Sequence, residues 1–509
     1  IFLGLLSIVV FVWGASSLAS YFYRRAEKAA PQISLLSRVA VLVAGAICIG
    51  LCLFGIRGRM GYNPIKVSQA YYCEDPFLNQ LGVNPVFNLL TSTLDDNRKE
   101  NRTLHLMSEE DALSKVQKYL HRQGIDRLSP IARKVEREGT PNRRNVVLVF
   151  MESMSANLMG TFGSDKKLTP YLDSLYQQSL SFSHFYSSGI HTNHGIYSTL
   201  YSFPAIMKRN AMKGSVIPVY SGLPTVLQEN GYCNLFFMTH ESQYDNMNAF
   251  LRTNGFDEIY AQENYPSEKV VNSFGVQDDF MYQYALPILN ERAGTGNPFF
   301  SVLLSISNHP PYVIPPYFHP HSDVLEEQIV EYADWSIRQF MQAAEKQPWF
   351  DNTIFVFLGD HGKMVGTPEC EMPQSYNHIP LMIYGKDIKP GVYDGFGGQV
   401  DVSPTLLGLL NISYLQNNFG VNLLEEERPC MFFTADNLIG ARDSVNMFIY
   451  SPDSQQEFKY KLEEGKLHAA TGTDEEAFRN LKDYCFSMLQ STESLVKEHK
   501  TLDKVSVKK

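Results

Sequence analysis

Two kinds of apolar run organise this chain. Near the N-terminus, residues 1–23 and 39–56 carry no charge over about the length, roughly 20 residues, that a helix needs to cross a bilayer. Arg24, Arg25, Lys28 and Arg38 fill the short stretch between them, which the positive-inside bias assigns to the cytoplasmic side. The first run is already under way at Ile1, so the sequence reads as beginning inside a helix, and no cleavable signal pattern flanks it. Further on the apolar runs are short, rich in β-branched and aromatic residues, and bounded by glycine or polar residues. Residues 145–151, 234–238, 299–306, 353–358 and 380–384 therefore read as strands buried on both faces. Helical stretches alternate with them, which predicts an α/β domain: a mostly parallel sheet sandwiched by helices.

The same patterning divides the chain. Residues 1–56 read as transmembrane helices. Residues 57–142 read as a juxtamembrane helical linker, with amphipathic stretches at 85–93 and 109–119 and a boundary at Gly139-Thr140-Pro141-Asn142. The strand-and-helix alternation occupies 143–425. In 426–509, runs at 447–450 and 457–462 flank Pro452-Asp453-Ser454 as a hairpin, residues 474–492 read as a closing amphipathic helix, and the end of the chain is charged.

Charge and cysteine usage narrow the classes. The 509 residues carry a net charge of −10, and no basic strip with interleaved aromatics stands out, so nucleic acid is not expected as a partner. Cys48 and Cys52 lie in the second apolar run, which leaves five cysteines elsewhere. There is no C-x-x-C spacing, so a thiolate zinc site has no support.

The candidate chemistry sits where these strands end. The 353–358 strand runs into Gly359-Asp360-His361-Gly362, and the 145–151 strand into Glu152-Ser153. In an open α/β sheet the C-terminal edge of the strands is where ligands bind, and carboxylates beside an imidazole are metal-ligand types. Between them lies Gly189-Ile190-His191-Thr192-Asn193-His194-Gly195, a hydroxyl among histidines and glycines before an apolar stretch. Taken singly, each piece has a plain reading: a solvated Asp-His pair, an acid complementing a helix dipole, a threonine cap.

In this order the pieces resemble the sulfatase/alkaline phosphatase superfamily, and within it the lipoteichoic acid synthase branch of membrane-anchored phosphoglycerol transferases. Leu168-Thr169-Pro170-Tyr171-Leu172, Phe274-Gly275-Val276-Gln277-Asp278, Ser305 to Pro311, Tyr332-Ala333-Asp334 and Asp401 to Thr405 add to the likeness. The resemblance implies that fold, with a small C-terminal antiparallel sheet and helix. It implies Thr192 as nucleophile, and one divalent metal on Glu152, Thr192, Asp360 and His361. Oxygens with one imidazole suit Mn2+ or Zn2+ better than Mg2+. His309 and His240 would hydrogen-bond the phosphate or protonate the leaving alkoxide. His378 would reach a phosphate oxygen or, with His309, a second metal, and Asp245 would meet the head group.

The implied partners are a membrane phospholipid donor and a glycan, polymer or lipid acceptor. The implied place is the bacterial inner membrane, multi-pass, with the catalytic domain outside. The branch carries a Trp and an Arg against the glycerophosphate. Here the segment from His240 to Asn248 has neither, and Arg252 lies further on. Phosphatidylglycerol is the expected donor, with phosphoethanolamine transfer, a sulfatase or phosphodiesterase, and an inactive scaffold as alternatives. Against a sulfatase stands the threonine, where sulfatases place a modified Cys or Ser.

Overall fold

A computed structural model describes residues 13–14, 16–25, 34–60, 64–73, 76–96, 98, 103–125, 128–213, 217–463, 465–470 and 475–502. The chain divides into two compact units, Ile1–Ile65 and Lys66–Lys509.

In the first unit, helix α1 (Leu35–Arg57) has a mean hydropathy of 2.8 and buries no side chain within the unit, as a helix solvated by lipid should. It starts four residues earlier than the apolar run because Ser34 caps it, its Oγ accepting the N–H of Ser37 at 3.2 Å. It stops at Gly58, whose φ of +77° suits a C-terminal glycine. Among the described residues α1 is the one helix long and apolar enough to cross a membrane. Of the other expected span, residues 1–12 and 15 lie outside the described residues, and 16–25 are helical.

In the second unit, α2 (Glu109–Tyr119) is capped by Ser108 and matches the sequence expectation. Although expected in a linker, α2 packs on the C-terminal helix of the chain. Ala112 and Val116 are buried, Tyr119 meets Tyr484 edge-on, and Lys115 pairs with Asp483 at 2.9 Å.

The central sheet contains β1 (Asn145–Met151), β2 (Leu180–Tyr186), β3 (Cys233–Met238), β4 (Glu258–Tyr260), β5 (Phe299–Leu304), β6 (Thr353–Gly359), β7 (Leu381–Tyr384) and β8 (Gly391–Gly398). Their order is β8-β2-β7-β6-β1-β5-β3-β4. Neighbours run parallel except around β7, which is antiparallel to both β2 and β6, so the sheet is mixed rather than uniformly parallel. The strands read from apolar runs are all present. β5 is shorter than expected because the N–H groups of Ile306 and Ser307 turn to the Asp278 carboxylate.

Period-two alternation within β1 feeds two cores at once. Val146, Leu148 and Phe150 face one, with Ile196, Tyr197 and Leu200 of α3 (Thr192–Tyr201). Val147, Val149 and Met151 face the other, with Tyr282 and Leu289 of α4 (Asp278–Ala293) and Ile337 and Phe340 of α5 (Leu325–Ala344). Each such side chain contributes roughly 1.5–3 kcal/mol on burial, so the strand ends are held firmly.

C-terminal to this lies an antiparallel meander: β9 (Met431–Thr434), β10 (Ile439–Arg442), β11 (Asn446–Ser451), β12 (Gln456–Glu463) and β13 (Lys466–Ala469). The expected hairpin is the β11–β12 pair, and α6 (Glu475–Lys497) closes the unit.

Candidate active site

β1 and β6 pair in register, Met151 opposite Gly359, so Glu152 and Asp360 leave adjacent strands side by side. His361 follows, and ligand atoms of Glu152, Asp360 and His361 all lie within 4.8 Å of one another. Backbone donors hold one side of the cluster. Asp360 Oδ1 accepts the N–H of Ser153 at 2.8 Å and of His361 at 2.7 Å, while Glu152 Oε1 accepts the Ser153 hydroxyl at 2.6 Å. Ser153 sits at φ +51°, a left-handed conformation that costs a non-glycine residue free energy and turns its N–H onto Asp360. His361 donates Nδ1–H to the carbonyl of Gly362 at 2.7 Å, which leaves Nε2 as a bare lone pair, 3.7 Å from Glu152 Oε1 and 3.6 Å from Asp360 Oδ2.

Thr192 is the first residue of α3, so its hydroxyl meets the cluster at the positive end of a helix. Its Oγ1 donates to Glu152 Oε2 at 3.3 Å. α3 comes this close because residue 195 is glycine: a Cβ there would collide with the Asp360 carbonyl. Gly362 serves in the same way, giving room to the Ser375 carbonyl rather than adopting a positive φ.

The electrostatics ask for a cation. Glu152 and Asp360 are 2 % and 0 % exposed, and no lysine or arginine pairs with either among the described residues. Burial, and then the Asp360 carboxylate, push the Glu152 carboxyl well above the usual range. Asp360 Oδ2 is buried without a hydrogen-bond partner. Two carboxylates, an imidazole lone pair and a hydroxyl around one orphaned oxygen fit a divalent metal ion by donor type and spacing.

The other sequence candidates divide. His309 and His240 each turn Nδ1 to a carbonyl, of Pro310 at 2.6 Å and Glu241 at 3.0 Å, which leaves Nε2 available. Burial lowers both, His240 to about 4. They bound an aromatic arc: His240 lies 4.7 Å from the ring of Tyr244, and His309 lies 4.2 Å from that of Phe274. Asp245, at φ +48°, accepts from Lys213 Nζ at 3.1 Å and Asn193 Nδ2 at 3.1 Å, beside the start of α3.

His378 is not brought to the cluster. Its Nε2–H donates to the Ser183 carbonyl at 2.9 Å, and its ring stacks on Tyr186 and meets Phe162 edge-on. His191 pairs with Asp436 at 2.6 Å, and His194 is buried within the first turn of α3.

Sequence reasoning passed over Ser153, Asn308 and Lys363 as working parts. Asn308 Nδ2 donates to the carbonyls of Glu152 and Ser153, at 3.1 and 3.2 Å. Lys363 Nζ donates to Asn308 Oδ1 at 2.6 Å. Adjacency to His309 and to Asp360-His361 was the available signal.

Comparisons with known proteins agree with this geometry. A family model described as sulfatase matches residues 144–412, more than half of the chain. The lipoteichoic acid synthase-like YvgJ of Bacillus subtilis (strain 168) is 25% identical over 362 residues, 64% of this chain and 56% of that protein. The lipoteichoic acid synthase of Staphylococcus aureus (strain NCTC 8325 / PS 47) is 24% identical over 400 residues, 69% of this chain and 58% of that protein. The chain thus spans about half the length of the curated relatives it matches.

Among solved structures, a protein in the alkaline phosphatase superfamily from Vibrio parahaemolyticus superposes with a TM-score of 0.70 at 25% identity, covering 78% of this chain and 97% of that one. The lipoteichoic acid synthase LtaP from Listeria monocytogenes gives 0.60 at 22%, covering 76% and 98%, and speaks for the fold alone. Because the family match runs from the residue before β1 to beyond β8, it takes in the whole central sheet and every member of the cluster, and the chain belongs to the sulfatase family.

Proposed function

We propose that the chain is a membrane-anchored, metal-dependent transferase that moves phosphoglycerol from phosphatidylglycerol to a hydroxyl of a glycan, polymer or lipid through a covalent intermediate on Thr192. The observation that carries this reading is the Thr192 hydroxyl, half-buried at the start of α3 and 3.3 Å from Glu152 beside Asp360 and His361. A threonine is a poor nucleophile without help, and this setting supplies a helix N-terminus and a metal-type donor set.

Glu152, Asp360, His361 and Thr192 Oγ1 would hold one Mn2+ or Zn2+. When bound, the ion lowers the pKa of the threonine hydroxyl and balances charge on the phosphoryl oxygens. Thr192 Oγ attacks phosphorus as its proton leaves along the hydrogen bond to Glu152. The bond from phosphorus to the lipid oxygen breaks, and His309, protonated at Nε2 in the bound complex, gives that proton to the departing alkoxide. In the second step the acceptor hydroxyl gives a proton to His309 as its oxygen attacks phosphorus, the bond to Thr192 breaks, and Glu152 returns its proton to Thr192 Oγ1. His240, whose buried Nε2 has no hydrogen-bond partner in the protein, would hydrogen-bond the group in transit.

Asp245 favours glycerol over ethanolamine. Its carboxylate already pairs with Lys213 and Asn193, so an incoming ammonium would have to compete, whereas glycerol hydroxyls need only hydrogen-bond acceptors. The lipid donor accords with α1 as an anchor in a bacterial membrane.

The test is to offer phosphatidylglycerol and phosphatidylethanolamine vesicles separately and measure diacylglycerol release, with mass spectrometry of the protein. Release from phosphatidylglycerol with a phosphoglycerol adduct on Thr192 is expected. Release from phosphatidylethanolamine alone, or full transfer by Thr192→Ala, overturns the proposal.

A further inference from the structure

From His240 to Asn248, where the resemblance implies an arginine against the phosphate, the chain has neither Trp nor Arg. The loop after β6 supplies a different cation. Lys363 follows His361 by two residues and is half-buried. Its Nζ donates to Asn308 Oδ1 at 2.6 Å and lies 5.6 Å from the centre of the Tyr312 ring.

Asn308 is fixed by its bonds to the carbonyls of Glu152 and Ser153, so the ammonium is tied to the rim of the cluster through one intermediate side chain. Among the described residues no carboxylate lies within ion-pair distance of Lys363; Glu152 and the exposed Glu326 act on it only at longer range. An ammonium withdrawn from water with one neutral acceptor is unfavourable. An ammonium has three donors and the Asn308 oxygen takes one, so donor capacity remains for an anion.

We infer that Lys363 is a phosphate-binding residue of this site, its remaining N–H groups holding a non-bridging oxygen of the transferred phosphoryl group. The inference rests on the phosphoryl-transfer reading of the site but not on the identity of the lipid. It assigns to the β6 loop the positive charge that an arginine would have brought from the segment after the nucleophile. A point charge in place of a planar guanidinium leaves the site fewer fixed directions from which to grip the phosphate.

The test uses the full chain in detergent, loaded with Mn2+, with inorganic phosphate as the probe. Metal content is measured by elemental analysis and phosphate affinity by calorimetry, on wild type, Lys363→Met and Lys363→Arg. The expected result is at least a tenfold loss of phosphate affinity in Lys363→Met, unchanged metal stoichiometry, and substantial retention of affinity in Lys363→Arg. Unchanged phosphate affinity in Lys363→Met overturns the inference. So does loss of metal in both variants, which would make Lys363 a strut between the loops after β5 and β6. If neither lipid serves as donor but phosphate affinity still follows the charge at 363, the inference stands and the phosphoglycerol reading falls.

Discussion

Asp360 and Asp401 are both wholly buried in the same unit, yet they stand in opposite electrostatic states. Asp401 has its counter-ion in place. Arg428 reaches both of its oxygens, with Nη2 at 2.6 Å from Oδ1 and Nε at 2.7 Å from Oδ2, and the N–H groups of Val421 and Gly398 complete the shell. Asp360 has two backbone donors on Oδ1, no hydrogen-bond partner on Oδ2, and Glu152 as its neighbour. A buried carboxylate satisfied by protein groups holds the fold together. One left unsatisfied next to another acid keeps a place for something from outside. The other aspartates of the family-like segments fall on Asp401's side. Asp278 receives the N–H groups of Ile306 and Ser307 and so fixes the loop carrying His309, and Asp334 receives those of Tyr171 and Leu172.

The largest effect that would break this comparison comes from Asp360→Ala. Activity is expected to fall by roughly 10^3-fold or more, about 4 kcal/mol of transition-state stabilisation, together with the bound metal. The melting temperature of the metal-free protein should stay the same or rise, because the variant removes a like charge beside Glu152. Elemental analysis and thermal melts on one preparation decide it; a variant that loses stability but keeps its metal would make Asp360 a brace like Asp401. Arg428→Met should show the reverse profile. It strands Asp401, at a cost of about 3–5 kcal/mol, while the protein that remains folded should keep its metal. Equilibrium unfolding with metal analysis checks this, and loss of metal without loss of stability would contradict it.

The readability of the chain followed the same division. Apolar runs with buried faces announced β1, β3, β5, β6 and β7, since burial on both sides leaves no alternative composition. β2 escaped because Ser181, Ser183 and His184 interrupt its apolar residues, and β8 because glycines carry it. The acids and His361 could be read because each closes a strand within one or two residues. Asn308 and Lys363 could not: their bond joins residues 55 apart in sequence, and nothing in a local pattern encodes it.

β7 also explains why His378 looked like a site residue. An antiparallel strand begins at the edge where its parallel neighbours end, so a histidine just before β7 falls near the catalytic edge without facing it. Only its ring environment, Tyr186, Phe162 and the Ser183 carbonyl, separates a packed histidine from a ligand.

That environment makes the smallest prediction, a pH dependence. Burial lowers the His378 imidazole to about 4, with Arg442 and His184 adding to the effect, against an ordinary value of 6.5. A histidine depressed on folding stabilises the native state above its unfolded pKa, and that stability is lost as pH falls from 6.5 toward 4, because the unfolded chain binds the proton more readily. At 1.36 kcal/mol per unit the contribution is at most roughly 3 kcal/mol. His240, at about 4, and His194, at about 3, act in the same direction, so the wild-type slope should exceed that of one histidine.

His378→Gln keeps a donor for Ser183 but cannot titrate. Urea melts at pH 4.5, 5.5, 6.5 and 7.5 should show a shallower dependence than wild type, with some loss at pH 7.5 from the missing ring stacking. Transfer activity at pH 7.5 should survive. Slopes that coincide would mean that the ring is not held neutral by burial. A variant that loses one equivalent of metal would instead return His378 to the active site as a ligand of a second ion.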